Sequence, residues 1–419
     1  MKKRIVIIGG GAAGLMAAGR VRELGGEPII IEKESRTGKK LGITGKGRCN
    51  VTNNCDLQTL IANIPTNPRF LYGAFSGFGP QDTINFFESH GVHLKTERGN
   101  RVFPVSDKAA DIVSALRHYA GQCVHMNSAA EEIVICGNGE DTSGKCISAV
   151  RTRGGQVTEC DAVILATGGM SYPLTGSDGS GYKLAADVGH TIVEPKPSLV
   201  PLETAERWCT SLQGLSLRNI SVKVIDTARS DAVVYEDFGE LLFTHFGISG
   251  PVVLSASSHI RDIQRGRYKF IIDLKPSLDE KTLDSRLLSD FAKYCNKNFS
   301  NALDDLLPKK LIPVIISLSG ISPERKMHDI TREERRNLLS LLKSLTLTVS
   351  GPRPIAEAII TSGGVDTRQI NPKTMESKLV SGLYFAGEII DTDAYTGGFN
   401  LQIAFSTAVC AAEAACMSC

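Results

Sequence analysis

The sequence predicts an α/β fold built on a parallel sheet, with a β-rich unit and a helical unit inserted into it. Three observations lead there. A β-branched run, Ile5 to Ile8, flows into a glycine-rich turn, an Ala-rich helix and a second apolar run, Ile29 to Ile31, which is a βαβ unit. Two later apolar runs, at 161–166 and 383–386, also end on glycines, Gly168-Gly169 and Gly387. Between those two runs the character of the chain changes completely.

Taken in order, a loop dense in Gly, Lys, Thr and Asn follows the βαβ unit over 33–55, and helices are expected at 80–90 and 107–120. Residues 124–135 read as strand and turn, and 146–159 as a hairpin. From 194 to 273 short alternating runs are separated by Gly and Pro, whereas 277–343 shows Leu-rich helical periodicity with many charges. Ser344 to Ser350 reads as a strand returning to the β-rich unit, and a small-residue helix, Asn400 to Ala415, follows the last glycine-ended strand. The expected organisation is a discontinuous domain of residues 1–193 and 364–419, a β-rich domain of 194–276 and 344–363, and a helical domain of 277–343.

Composition bounds the partners. The chain has 419 residues, enough for two or three domains at roughly 150 residues each. A net charge of +2 with no basic run points away from nucleic acid. Apolar stretches such as Leu311 to Leu318 fall short of the roughly 20 residues that span a bilayer, so no membrane partner is expected. Met1-Lys2-Lys3-Arg4 runs straight into the first expected strand, so no signal peptide is expected. Eleven scattered cysteines suit a reducing cytoplasm, and the histidines show no metal spacing.

The turn after the first strand is G-x-G-x-x-G, made by Gly9, Gly11 and Gly14. Gly9 permits the tight turn, Gly11 lets a pyrophosphate approach the backbone, and Gly14 lets helix and strand pack closely. The helix then points unpaired N–H groups at the phosphates. Glu32 stands 18 residues beyond Gly14, where an acid can accept the hydroxyls of an adenosine ribose. This is a dinucleotide site, and FAD suits it better than NAD. FAD needs contacts along its whole length, and the C-terminal segment offers them: Glu388 for the ribityl hydroxyls, and the Gly397-Gly398 turn opening a helix whose dipole favours negative charge on reduced flavin.

Several runs have a wider resemblance. Gly9-Gly-Gly-Ala-Ala-Gly-Leu-Met-Ala, Thr44-Gly-Lys-Gly-Arg-Cys-Asn-Val-Thr-Asn53, Ala166-Thr-Gly-Gly-Met-Ser-Tyr-Pro173 with Gly176-Ser-Asp-Gly179, Leu242-Phe-Thr-His-Phe-Gly-Ile-Ser-Gly-Pro251 and Gly397-Gly-Phe-Asn-Leu-Gln402 together resemble the BaiN-like bacterial FAD-dependent oxidoreductases, also called YhiN-like or the aminoacetone-oxidase family. The resemblance implies a Rossmann-like FAD-binding domain interrupted by a β-barrel-like domain and a small helical domain. It implies FAD contacts at Gly9, Gly11, Ala12, Ala13, Gly14, Glu32, Lys33, Lys40, Thr44, Gly45, Gly47, Arg48, Thr167, Gly168, Gly387, Glu388, Asn400, Leu401 and Gln402. Lys46 and Phe399 depart from the family's usual residues, adding a charge and removing a hydroxyl.

The leading expectation is an NAD(P)H-linked reductase of a conjugated C=C, such as a 3-oxo bile-acid enone. A second G-x-G-x-x-G, the mark of a dedicated NAD(P)H domain, is absent from the sequence. The alternative is an amine oxidase of aminoacetone type that uses oxygen. A disulfide oxidoreductase built on Cys49 and Cys55 lacks the spacing and companion motifs of that class, Cys416 and Cys419 are a weak pair at the chain end, and a flavoprotein scaffold without turnover is the non-enzymatic reading. His245 is the first candidate proton donor, expected in a domain that covers the flavin, and Tyr172 the second, placed to bond a carbonyl oxygen.

Overall fold

A computed structural model of the chain describes residues 2–136, 144–260 and 262–417. It falls into two compact units: residues 1–198 with 354–419, and Leu199–Arg353.

The first unit is organised by a five-stranded parallel sheet. Its strands are β1 (Arg4–Ile8), β2 (Glu27–Ile31), β3 (Val124–His125), β4 (Ala162–Leu165) and β5 (Leu383–Phe385), in the order β5-β4-β1-β2-β3. Ile5, Val6, Ile7, Val163 to Leu165 and Leu383 to Phe385 have no exposed surface. That burial explains why these strands read as unbroken apolar runs: a parallel sheet covered on both faces has no polar side. Helix α1 (Ala12–Glu23) follows β1, and α2 (Ala109–Ala120) and α3 (Phe399–Met417) pack against it. The C-terminal strand and helix thus complete a core begun at the N-terminus. Helix α3 is long and apolar enough to cross a membrane by length and composition, with mean hydropathy 1.2, contrary to the expectation that apolar stretches fall short. However, 67% of that window is buried within the fold, as befits a core helix.

Two smaller features belong to this unit. Ile192–Ser198 pairs antiparallel with Ile360–Val365, so residues 194–198 and 354–363 cluster here rather than with the β-rich residues the sequence grouped them with. Cys136 and Cys146 form a disulfide between directly opposed partners of an antiparallel pair, 5.3 Å apart at Cα, where scattered unpaired cysteines were expected. Residue 419 lies outside the described residues, and with it the Cys416–Cys419 pair.

The second unit holds a closed six-stranded barrel. Its strands, in order around the barrel, are Leu202–Thr204, Gly247–Ser249, Ala232–Phe243, Ser216–Asp226, Tyr268–Asp273 and Leu345–Pro352. The helices Glu280–Lys293, Ile312–Ser319 and Arg332–Lys343 cluster with the barrel in one unit. Asp279 caps the first of them, and Thr331 with Glu334 forms a capping box on the last. Arg267 grips Asp226 through both carboxylate oxygens, at 2.9 and 2.8 Å, at the turn that follows the barrel strand Ser216–Asp226.

One core histidine has a fixed protonation state. Ser377 Oγ accepts from the Leu379 and Val380 N–H groups, at 3.0 and 2.9 Å, so its own proton goes to His190 Nε2 at 2.9 Å. Nε2 is therefore an acceptor and the ring is neutral. Burial pushes the His190 pKa down to about 4, and Nδ1 is left without a partner. The unfolded chain takes up this proton near pH 6.5 and the folded chain does not, so stability falls as pH drops from about 6.5 to about 4. Urea unfolding of His190→Gln is expected to lose that part of the acid sensitivity. An unchanged difference between the midpoints at neutral pH and pH 5 contradicts the assignment.

Candidate functional site

The carboxyl ends of β1, β4 and β5 are where a parallel sheet offers a binding crevice. Each ends in a glycine turn: Gly9 to Gly11, Thr167 to Gly169, and Gly387. The first is set by contact. A Cβ on Gly14 lies 1.8 Å from the Gly9 carbonyl oxygen, so only glycine lets α1 sit this close to the strand that feeds it. A Cβ on Gly11 meets nothing within 4 Å, which is the open face a pyrophosphate needs. Leu15 is the first residue of α1 whose N–H bonds back within the turn, to Gly11, leaving Ala12, Ala13 and Gly14 with the N–H groups that a helix start presents outward.

Glu32 closes the other side of this turn. One carboxylate oxygen accepts from the Gly10 N–H at 2.6 Å and the other from the Glu34 N–H at 2.8 Å. Both oxygens are thereby aimed and retain lone pairs for a ribose diol. Lys33 is held by Asp178 and Ser180.

A second cluster sits where the third strand ends. Lys40 Nζ donates to Glu388 at 2.7 Å and to Ser171 Oγ at 2.6 Å. Glu388 also accepts from Ser171 Oγ at 3.1 Å and from the Thr361 N–H at 2.9 Å. Thr361 Oγ1 in turn accepts from the Met170 and Ser171 N–H groups. The next residue, Tyr172, has φ 53° and ψ 58°, a left-handed conformation before a proline, and is 37% exposed. Lys40 and Glu388, two positions drawn from the sequence, therefore share one network, through Ser171 and Thr361, which the sequence reading did not single out; Tyr172 only adjoins it in the chain, its N–H donating to Ala356 O. Ser171 stood inside a quoted run, but nothing local in the sequence ties Thr361 to it.

Other expected contacts have their side chains committed elsewhere. Gln402 is fully buried; its oxygen accepts from Thr52 and Thr83, and its nitrogen donates to Phe78 O and Ser406. Asn400 spends its amide on the backbone of Ala394 and Tyr395. The Gln402 backbone N–H is taken as well, by Gly398 O at 3.1 Å, so what this turn of α3 can offer a cofactor is the backbone N–H groups of Asn400 and Leu401. Arg48 pairs with Glu97 and Asp107 and stacks on Phe103 at 4.2 Å. Thr44 caps its own helix end through Leu41 O, while Gly45 and Gly47 lie in left-handed turns. Gly168 also has positive φ, and Gly387 N–H donates to Thr407.

The cradle fits a dinucleotide on a structural criterion. The open face at Gly11 lies beside the Glu32 carboxylate, whose two oxygens are fixed by the Gly10 and Glu34 N–H groups, so room for a pyrophosphate and an acceptor for a ribose diol sit on one turn.

Cys49 is fully buried, and burial pushes its thiol up to about 12; Cys55 is pushed up to about 11. Both are free thiols, far from the thiolate state that disulfide exchange requires. His245 lies exposed at the turn between two barrel strands, its ring edge-on to Phe246.

The family model described as HI0933-like protein Rossmann domain matches residues 3–414. A 3-dehydro-bile acid delta(4,6)-reductase from Clostridium scindens is 32% identical, with 98% of each chain covered. A ribosomal RNA dihydrouridine synthase from Escherichia coli is 30% identical over 97% of this chain and 96% of its own. In fold, the chain resembles the 3-ketosteroid-delta4-(5alpha)-dehydrogenase of Rhodococcus jostii, with TM-score 0.51, 12% identity and coverage of 100% and 97%. It also resembles the 3-ketosteroid delta1-dehydrogenase of Sterolibacterium denitrificans, with TM-score 0.50, 13% identity and coverage of 99% and 100%. The chain belongs to the HI0933-like family, the BaiN-like group of FAD-dependent oxidoreductases whose sequence runs it shares.

Proposed function

We propose that this oxidoreductase catalyses NAD(P)H-linked reduction of a ring C=C conjugated with a carbonyl. One observation carries the reading. Two relatives of similar identity to this chain have unlike substrates, a steroid and an RNA, yet the activities they are named for share one bond change. The Δ4,6 double bonds of a 3-oxo steroid are conjugated with its ketone. Making dihydrouridine saturates the uracil C5=C6 bond, which is conjugated with its C4 carbonyl. Both are conjugate reductions: a hydride adds to an electrophilic carbon of the conjugated system and a proton to its neighbour, and in the reaction proposed for this chain the hydride comes from a nicotinamide, which is oxidised.

FAD, when bound, supplies the hydride-transfer chemistry. The chain's own residues position and polarise. Glu32 and the start of α1 hold the adenosine and pyrophosphate, Glu388 is aimed by Lys40, and the start of α3 favours negative charge next to it. Tyr172 is proposed to donate a hydrogen bond to the substrate carbonyl, which makes the β-carbon electrophilic; His245 is the second candidate for the proton. Its left-handed backbone supports Tyr172, because strain of that kind clusters at working sites.

Anaerobic stopped-flow mixing tests the reaction. NADH or NADPH should bleach the flavin, and a 3-oxo-4,6-diene steroid or uridine in RNA should restore it. Bleaching by aminoacetone but by neither nicotinamide overturns the proposal in favour of an amine oxidase. Glu32→Ala tests the cradle. Charge-assisted hydrogen bonds contribute roughly 1.5–3 kcal/mol each, so FAD should bind at least tenfold more weakly. Flavin retention on gel filtration equal to the unaltered protein's contradicts the role given to Glu32.

A further inference from the structure

The whole-chain charge of +2 conceals a local excess. Residues 44–54 and 94–108 carry six basic side chains and two acidic ones, a net of +4. The fold brings these segments together. Thr52–Asn53 pairs antiparallel with Arg101–Pro104, which pairs with Leu94–Glu97. Phe103 is the joint between them: Arg48 stacks on its ring at 4.2 Å, Arg101 stands 5.9 Å from its centre, and a Cβ on Gly45 lies 3.5 Å from its edge.

The two acids are already used. Glu97 and Asp107 both pair with Arg48 and Lys95. Lys46, Arg98 and Arg101 are exposed, and among the described residues none of the three has an ion pair. Their backbone setting is specific. Lys46 is left-handed (φ 60°, ψ 40°) between two left-handed glycines, a conformation an L-residue with a long side chain seldom adopts. Arg98 and Arg101 flank a turn made by Gly99 and Asn100, both at positive φ. Strain held on an exposed, unpaired cation points to a ligand.

This apron is tied to the cofactor cradle. Asn53 Nδ2 donates to Gly99 O at 3.0 Å and to Gly397 O at 3.1 Å, so one amide joins the basic hairpin turn to the turn that opens α3. A Cβ on Gly398 lies 2.4 Å from the Thr52 backbone, which fixes the same contact.

We propose that Lys46, Arg98 and Arg101 hold the phosphates of an RNA strand and present one of its bases at the start of α3. The inference rests on the reductase reading above, with a uracil as the conjugated substrate. Cations set beside the cradle rather than inside it suit a polymer whose backbone runs past the site, and phosphate contacts position a strand without reading its sequence. It also replaces the expectation, drawn from whole-chain charge, that no nucleic acid is involved.

The test uses the FAD-loaded protein and protein-free ribosomal RNA. Arg98→Glu/Arg101→Glu and, separately, Lys46→Glu should weaken RNA binding at least tenfold. The slope of log affinity against log salt should fall by about 1 for each cation removed. Flavin content and turnover of a small 3-oxo-4,6-diene should not change in the Arg98/Arg101 variant. Three results overturn the inference: no RNA binding by the unaltered holoenzyme, unchanged affinity and slope in the variants, or loss of NADPH but not NADH turnover, which assigns the cations to the nicotinamide's 2′-phosphate. The reductase reading fails separately, if the unaltered enzyme reduces neither the diene nor uridine.

Discussion

Strand β5 lies beside β4 in the sheet, although the whole barrel unit intervenes in the chain between them. The rest of the first unit depends on that parallel pairing. It carries Gly387 and Glu388 to the same edge as the Gly9–Gly14 turn, and it sets α3 against α1. Without it, Lys40 and Ser171 have no Glu388 to meet, and the N-terminal motif can hold only half of an FAD. Pairing so distant in sequence is costly in loop entropy, and the apolar surface that β5 and α3 bury offsets it.

Much of this was legible in the sequence because the signals were local. Continuous apolar strands, a glycine fingerprint and a change of periodicity are short patterns, and each corresponds to an element in the structure. The Lys40–Ser171–Glu388–Thr361 network was only half legible, since it joins segments that have no pattern in common. Asn400 and Gln402 illustrate a different limit. Motif matching placed them at the cofactor, but their side chains are spent within the protein, Gln402 on a fourfold hydrogen-bonded clip. A motif identifies where a residue stands and not which of its atoms are free. The Cys136–Cys146 bond escaped for a similar reason: cysteine spacing does not reveal that two strands will place them opposite each other.

Whole-chain net charge conceals local arrangement. Averaged over the chain it points away from nucleic acid, while the fold brings cations from two segments together and pairs the nearby acids with Arg48 and Lys95. Glu97 and Asp107 are taken by Arg48 and Lys95, and the whole-chain sum of +2 understates the local net of +4 in these segments, to which Lys46, Arg98 and Arg101 belong. Electrostatic reading of a sequence improves when charges are counted per folded segment and ion pairs are removed first.

The central claim is that the two ends of the polypeptide build one berth for FAD. It is tested most directly by the absorbance of the purified protein, before and after added FAD and a desalting step. The account predicts oxidised-flavin bands near about 370 and 450 nm that survive desalting at one flavin per chain. A colourless protein that takes up no added flavin contradicts it.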